Sequence, residues 1–358
     1  GRTVTPGFVD AHIHFLSYGL SLQEIDLAAV PTLAEAVERV RQRAAATPPG
    51  RWLTGRGWDQ SLWPGGAFPT KADLDAVAPA HPVFLRRKCG HAGWANSRAL
   101  ELAGITRDTP DPTGGEIVRD EHGEPTGILL ERAMDLVFAL LAEPSDEEAV
   151  AAMRAAQERL HGMGIVGVHT MEAAPTLRGF QHLRRADELR LRVVAQIPLA
   201  ELDEAIALGL QTGLGDDLLR IGGVKVFSDG ALGPRTAWML EPYEGEPDNR
   251  GIPVITEAEM HDVVERASRA GIAVVTHAIG DRANRMVLDA LARSRQAGLG
   301  LHLRHRIEHA QVLHPDDVPR FAALGVIPSM QPIHATQDML LADKHWGDRS
   351  RYAYAWRS

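Results

Sequence analysis

The sequence predicts an α/β fold, a single large barrel of parallel strands that carries an insertion. Its length of 358 residues, 44% of them hydrophobic, exceeds one average domain and matches one such barrel. From about residue 164, short apolar runs alternate with amphipathic segments. This alternation is typical of repeated strand and helix units in a parallel sheet.

Seven barrel strands are predicted, each an apolar run bounded by turn or helix signals. They span residues 7–15, 165–170, 191–197, 221–228, 272–278, 303–309 and 326–330. Helices are predicted between them. One begins at Thr256, whose spacing from Glu259 is that of a capping box.

The alternation of predicted strands and helices divides the chain into three parts. Residues 1–30 hold the first strand and its loop, 31–145 an α+β insertion or cap, and 146–358 the remaining units up to the helix before an eighth strand. The insertion contains a predicted hairpin that pairs 116–119 with 126–130. It also contains four of the seven tryptophans, which would either line a pocket or form the insertion's own core: Trp52, Trp58, Trp63 and Trp94.

Charge and hydropathy exclude two classes of partner. Asp and Glu number 47 against 38 Lys and Arg, giving a net charge of -9, and no basic stripe is present, so we expect no nucleic acid. No apolar run approaches the roughly 18 residues that cross a bilayer. We expect a small-molecule substrate and leave a homodimer open.

The cysteine content bears on the compartment. Cys89 is the single cysteine and cannot form an intramolecular disulfide, which suits a reducing compartment. We therefore expect a cytoplasmic location for this chain, whose sequence starts at Gly1 and not at a methionine.

His12 and His14 form the first candidate metal site. Residues two apart in a strand point to the same face, so both rings project together with Asp10. Two imidazoles so placed can bind one ion. The alternative is a solvated surface pair.

His277 and His309 each end an apolar run, where a strand meets its following loop. Barrel enzymes hold their sites at this end of the strands. Either histidine alone could be a core residue, but together with the first pair they are interpreted as metal ligands.

Lys225 lies between two valines in the segment 223–230, which places its side chain inside the barrel. Burying an ammonium group inside the barrel costs free energy unless the group is paired or bound. Nearby cations would lower its pKa, and the neutral amine could then be carboxylated to a carbamate that bridges two ions. The competing interpretation pairs Lys225 with a carboxylate such as Asp229.

Six segments, in order, resemble the YtcJ-like amidohydrolases, relatives of N-substituted formamide deformylase. They are PGFVDAHIH at 6–14, GHAGWANS at 90–97, KVFSDGALGPRTA at 225–237, THAIGD at 276–281, RIEHAQ at 306–311 and SMQPIH at 329–334. The resemblance extends over essentially the whole chain, and the ordered set is specific.

The resemblance implies a TIM-like (β/α)8 barrel of the metal-dependent hydrolase type. It implies hydrolysis of carbon-nitrogen bonds other than peptide bonds, in an amide, formamide or cyclic amide. One or two divalent ions, zinc first among them, would be held by the five side chains His12, His14, Lys225, His277 and His309.

The resemblance also implies parts that the sequence does not contain. An aspartate at the end of an eighth strand, the last ligand and general base, would lie beyond Ser358. From the same resemblance we expect the eighth strand itself and a β-sandwich flanking the barrel to be missing from this chain. We therefore expect a fragment cut at both ends, with little or no activity of its own.

Further family positions are expected to orient substrate, although each could instead be architectural. They are His91, Arg235, Gln331, His334 and Asp338. Trp58 is also expected to contact substrate, by shaping the pocket. His169 is expected to be a core residue or to support a ligand rather than to bind metal.

The sequence favours hydrolysis by a water that a divalent ion activates. Two alternatives stay open at this point. The same site could act on a phosphate ester or a lactone, because a fold does not fix the chemistry. The chain could also be an inactive truncated fragment that only binds metal.

Overall fold

The computed structural model describes residues 3–88, 92–112, 114–141, 144–172 and 174–354. Cys89 and His91 lie outside the described residues. The strands are β1 (Phe8–Ile13), β2 (Ile25–Asp26), β3 (Leu53–Trp58), β4 (Val83–Arg87), β5 (Ala92–Ala95), β6 (Gly115–Arg119), β7 (Pro125–Glu131), β8 (Ile165–Thr170), β9 (Arg192–Pro198), β10 (Leu219–Phe227), β11 (Val274–Ala278), β12 (Arg306–His309) and β13 (Ile327–Ser329).

The α-helices alternate with these strands along much of the chain. They are α1 (Phe15–Ser21), α2 (Leu33–Ala45), α3 (Lys71–Asp75), α4 (Ser97–Leu102), α5 (Asp135–Phe138), α6 (Asp146–Gly162), α7 (Ala174–Arg185), α8 (Leu202–Ala207), α9 (Glu257–Arg269), α10 (Asp281–Gln296), α11 (Val318–Leu324), α12 (Ile333–Gln337) and α13 (Met339–Trp346).

The chain divides into two compact units, and the first comprises residues 1–18 and 149–358. Its described part holds a seven-stranded sheet in the order β1-β8-β9-β10-β11-β12-β13, with each neighbouring pair parallel. The order along the sheet is the order along the chain, as expected when each strand is followed by a helix that returns the chain. The predicted α/β barrel is confirmed.

The core of this unit lies between the sheet and its helices. Helix α9 begins at the predicted capping box, in which Thr256 and Glu259 bond reciprocally. It buries an apolar face that includes Met260 and Val264, both 0% exposed, in one cluster with Val224 of β10. The apolar runs of β10 and β11 therefore face helices on one side, which leaves the other side to polar residues.

The first strand of the barrel sheet carries exposed apolar side chains. Phe8 and Val9 of β1 are 64% and 56% exposed. Together with Met330 and Ile333 they line a groove of about 550 Å³.

The second unit comprises residues 19–148 and contains the predicted insertion at 31–145. Its described strands form a six-stranded sheet in the order β2-β3-β4-β5-β7-β6. The predicted hairpin is present as β6 and β7, antiparallel and with Glu116 opposite Leu130. Trp58, Trp63 and Trp94 are buried in one apolar cluster, so these three belong to the unit's own core.

In the described part of the chain, no helix combines the length and the apolar character needed to cross a membrane.

Candidate metal centre

The four predicted histidine ligands come together in the barrel unit. His12 lies in β1, His14 follows that strand, and His277 and His309 lie at the ends of β11 and β12. The ring centres of His12 and His309 are 4.7 Å apart, those of His277 and His309 are 4.6 Å apart, and those of His12 and His14 are 5.8 Å apart. Because all the strands are parallel, their C-terminal ends carry these rings to one edge of the sheet.

Glu308 fixes the proton on His12. The Nδ1 atom of His12 lies 2.6 Å from Oε2 of Glu308, which has no exposed side-chain area. A carboxylate only accepts hydrogen bonds, so Nδ1 donates and Nε2 keeps its lone pair free. Burial would raise the pKa of Glu308, but the hydrogen bond from His12 and the charge of Arg306 outweigh it and lower that pKa.

A backbone carbonyl fixes the proton on His277. Its Nε2 atom lies 2.9 Å from the carbonyl oxygen of Gly230 and must donate to it, so Nδ1 is left as the free base. The neighbouring Asp229 accepts hydrogen bonds from the backbone N–H groups of Trp238, Ile279 and Gly280, at 2.8 to 3.0 Å. Burial raises the pKa of Asp229 to about 7, against the opposing effect of these N–H groups.

Gln331 fixes the proton on His309. The side-chain amide of Gln331 donates to the carbonyl of Ser329 at 2.8 Å, so its oxygen faces Nδ1 of His309 at 2.6 Å. Nδ1 therefore donates, and Nε2 remains free. His309 and Ala310 both have left-handed backbones, with φ of 72° and 41°. Such strain costs of order 1–3 kcal/mol per residue and concentrates at functional sites.

Burial keeps three of the candidate ligands, His14, His277 and His309, neutral. It lowers the pKa of His277 to about 4 and that of His309 to about 2, with neighbouring histidines and Lys225 adding to the effect on His309. The pKa of His14 is lowered as well, chiefly by burial. A histidine must be unprotonated to bind a metal, so these three side chains are in the required state at neutral pH.

Lys225 points its amine into the same region without a partner. It is 4% exposed, and Nζ makes no hydrogen bond within the part of the chain that the structure describes. Burial lowers its pKa to about 8, although Glu308 opposes this shift. Asp229, the partner that the competing interpretation gave Lys225, accepts backbone N–H groups instead.

This donor set fits a divalent ion in its chemistry. Three imidazoles each have one nitrogen held by a hydrogen-bond acceptor and the other left free, which is the usual arrangement around metal-binding histidines. The amine of Lys225, which has no hydrogen-bond partner among the residues the structure describes, adds a buried polar group that calls for a ligand. The fit concerns the chemistry of the donors and not their present placement: in the described ranges, no group of three or more His, Cys, Asp or Glu side chains is arranged to hold an ion.

Arg306 ties the strands around the site together. Its guanidinium donates to Glu308 of β12 at 2.9 Å, to the carbonyl of Ala11 in β1 at 2.8 Å and to the hydroxyl of Ser329 in β13 at 2.8 Å. It also contacts Nδ1 of His169 in β8. The arginine thus compensates the buried charge of Glu308 and joins four strands.

The predicted substrate-binding residues lie in different surroundings. His334 stacks on His309 with ring centres 5.3 Å apart, next to Gln331. Arg235 is exposed, has a φ of 58° and pairs with Glu246. Trp58, in the other unit, is 0% exposed and donates to the carbonyl of Leu85 at 2.8 Å. Their contact with substrate stays a prediction, as does that of His91, which lies outside the described residues.

Sequence reasoning missed Glu308, Arg306 and the carbonyl of Gly230 as partners of the ligands. A signal for the first two was present. Both are charged residues on the same face of a short strand that is otherwise buried, and buried charges are retained where they are paired.

Comparisons with known proteins bear on this arrangement. The amidohydrolase family model matches residues 1–358. The chain is 32% identical to YtcJ of Bacillus subtilis (strain 168) over 100% of its length and 68% of that protein's. It is 34% identical to N-substituted formamide deformylase of Arthrobacter pascens, over 91% of this chain and 62% of that protein. It is 35% identical to LONG AFTER FAR-RED 3 of Arabidopsis thaliana, over 94% of this chain and 60% of that protein.

A solved structure matches the fold. It is the crystal structure of an uncharacterised metal-dependent hydrolase from Pyrococcus furiosus, with a TM-score of 0.78 and 33% identity, covering 98% of this chain and 69% of that one. A full-length family match and this structural similarity together give the conclusion that the chain belongs to the amidohydrolase family.

Proposed function

We propose that this chain forms the main part of a metal-dependent hydrolase that cleaves carbon-nitrogen bonds other than peptide bonds in a small molecule. One observation carries the proposal. Three strand-end imidazoles are each locked with one nitrogen free, beside a buried lysine amine that has no hydrogen-bond partner among the described residues. Family membership and the metal-dependent hydrolase from Pyrococcus furiosus support the same reaction class.

The proposed ligands are His12, His14, Lys225, His277 and His309. Zinc suits this set, because imidazole and oxygen donors are its common ligands. When bound, one or two such ions would supply a Lewis acid and would lower the pKa of water at the site.

The chain's own residues prepare the donors. Glu308 and Gln331 hold protons on the nitrogens that face away from the site, so His12 and His309 each present a basic nitrogen. The lowered pKa of Lys225 leaves part of its amine neutral at pH 7 to 8. The neutral amine can add to carbon dioxide and release one proton, forming the proposed carbamate.

A general base is needed to take a proton from water and return it to the leaving nitrogen. The resemblance to this family implies an aspartate in this role. The name of the Arthrobacter pascens relative indicates an N-substituted formamide as one member of the substrate class to test first.

The test compares amides, lactones and phosphate esters as substrates of the zinc-loaded full-length protein. We expect hydrolysis of amides or formamides, and loss of it in His12→Ala and His277→Ala. His302→Ala is the matched control, because His302 is an exposed histidine of the same unit and should change nothing. Preference for esters, or full activity in His12→Ala, would contradict the proposal.

A further inference from the structure

A cavity of about 860 Å³ lies at the C-terminal ends of β8, β9 and β10. The residues that line it come directly after β8, from the ends of β9 and β10, from the start of α8, from the segment before α9 and from α9 itself. Its apolar lining includes Met171, Leu199, Leu202, Phe227, Val254 and Ile255. The cavity therefore opens on the edge of the sheet where barrel enzymes bind their substrates.

Two of these apolar side chains are exposed. Phe227 is 45% exposed and Val254 is 59% exposed, whereas Leu202 beside them is 2% exposed. Large apolar groups left open in a concave site are typical of a surface that a ligand covers.

In the described part of the chain, the charged side chains that line the cavity already have ion-pair or hydrogen-bond partners, except for Lys225. Arg266 pairs with Asp203 and, at 3.0 Å, with Asp262. Glu259 accepts the backbone N–H of Thr256 at 2.9 Å. Acidic groups outnumber basic ones, and Arg266 is not free to receive an anion. A ligand here gains from apolar contact rather than from charge.

Phe227 connects this cavity to the candidate metal centre. Its ring centre lies 5.4 Å from that of His277 and 4.7 Å from Nζ of Lys225. A substrate whose reacting carbon lies at these donors would extend its substituent directly over the Phe227 ring.

We propose that this cavity binds an uncharged apolar substituent, a long or branched alkyl or aryl group, carried by the substrate's scissile amide. The inference rests on the proposed function for the identity of the reacting group. The volume lies within the range of small-molecule pockets, and each methylene buried there should strengthen binding about fourfold.

The experiment measures binding by calorimetry to the zinc-loaded full-length protein, with three probes of one series. N-hexylacetamide should bind far more tightly than N-methylacetamide. It should also bind more tightly than 6-acetamidohexanoate, which has a similar length but ends in a carboxylate. Equal affinity for the hexyl and the carboxylate probes would overturn the inference.

Variants of the cavity lining test whether the hexyl group of the probe binds in this cavity. Ala258→Trp fills the cavity from an exposed position on α9 and should weaken N-hexylacetamide binding at least tenfold, while Ala322→Trp on the exposed surface of α11 should not. Val254→Ser removes apolar contact without bulk and should weaken binding in the same direction. Unchanged hexyl binding in both cavity variants would refute the subsite.

The binding result is independent of turnover. If hexyl binding is lost in the cavity variants but no amide is hydrolysed, the subsite stands and the proposed reaction fails. If amides are hydrolysed with no preference for apolar substituents, the reaction stands and the subsite fails.

Discussion

Replacing Glu308 by Gln should change the tautomer of His12 and weaken metal binding. Glu308 accepts hydrogen bonds on separate oxygens, from Nδ1 of His12 to Oε2 at 2.6 Å and from Nε of Arg306 to Oε1 at 2.9 Å. A glutamine of the same shape has one oxygen and one NH2 group, so it can accept only one of them. The charged guanidinium donates the stronger bond and should keep the oxygen. The NH2 group then faces Nδ1 of His12.

Two donors cannot pair, so the proton of His12 should move to Nε2. That nitrogen is the one the wild type leaves free for a ligand. Loss of a group that orients a metal-binding histidine typically costs 10–100-fold in metal affinity. This corresponds to about 1.4 to 2.8 kcal/mol in binding free energy. We expect Glu308→Gln to lie in this range.

Zinc affinity is measured by competition with a chelator, and stability by urea unfolding of the metal-free protein. Asp317→Asn is the matched control, because Asp317 is 2% exposed and pairs with Arg285 and Arg320 at 2.9 and 2.8 Å. It should lose stability while its zinc affinity stays unchanged. An affinity of Glu308→Gln equal to that of the wild type would refute the role of Glu308 in holding the His12 proton.

Three further predictions concern stability. Lys225→Met should abolish activity yet raise the free energy of unfolding of the metal-free protein by roughly 1–3 kcal/mol in urea titrations, because it removes a buried unpaired polar group; a destabilised variant would show that the amine has a partner. Arg306→Met should lower that free energy by about 3–5 kcal/mol, because Glu308 would be left as a buried charge without its cation, and an unchanged urea midpoint would count against this. His305 accepts the backbone N–H of Val274 through Nδ1 at 3.0 Å, and burial lowers its pKa to about 4. The unfolded chain takes up this proton near pH 6.5 and the folded one near pH 4, so the stabilisation is present above pH 6.5 and is lost as the pH falls to 4, by on the order of 3 kcal/mol. His305→Gln should flatten this part of the stability profile, and an unaltered slope would contradict the assignment.

The barrel strands could be predicted because each is a short apolar run followed by a helix signal. The predicted strand at 221–228 corresponds to β10 (Leu219–Phe227), and that at 165–170 to β8 with the same bounds. The metal-ligand candidates could be predicted because a histidine or lysine at the end of a buried apolar strand costs free energy unless it is paired or bound to a ligand.

Strict alternation would not have placed His309 correctly. In β12, Arg306 and Glu308 share one face, which leaves Ile307 and His309 on the other. The left-handed backbone at His309 breaks this pattern, and its ring lies beside those of His12 and His277. A positive φ at a residue other than glycine leaves no dependable trace in the sequence.

The partners of the ligands could not be predicted because they depend on strand register. Glu308 and His12 are 296 residues apart, and Arg306 reaches Ala11 across a similar separation. The apolar cavity has the same origin, since Phe227 at the end of β10 and Val254 in the segment before α9 line it together only in the folded chain. A single sequence gives the face of a strand but not the residue opposite it.

The metal content of the purified full-length protein tests the central claim most directly. Elemental analysis after removal of loosely bound ions should find one or two divalent ions per chain, and His12→Ala and His277→Ala should each reduce that number while His302→Ala does not. Protein that hydrolyses amides at full rate without stoichiometric metal would contradict the account.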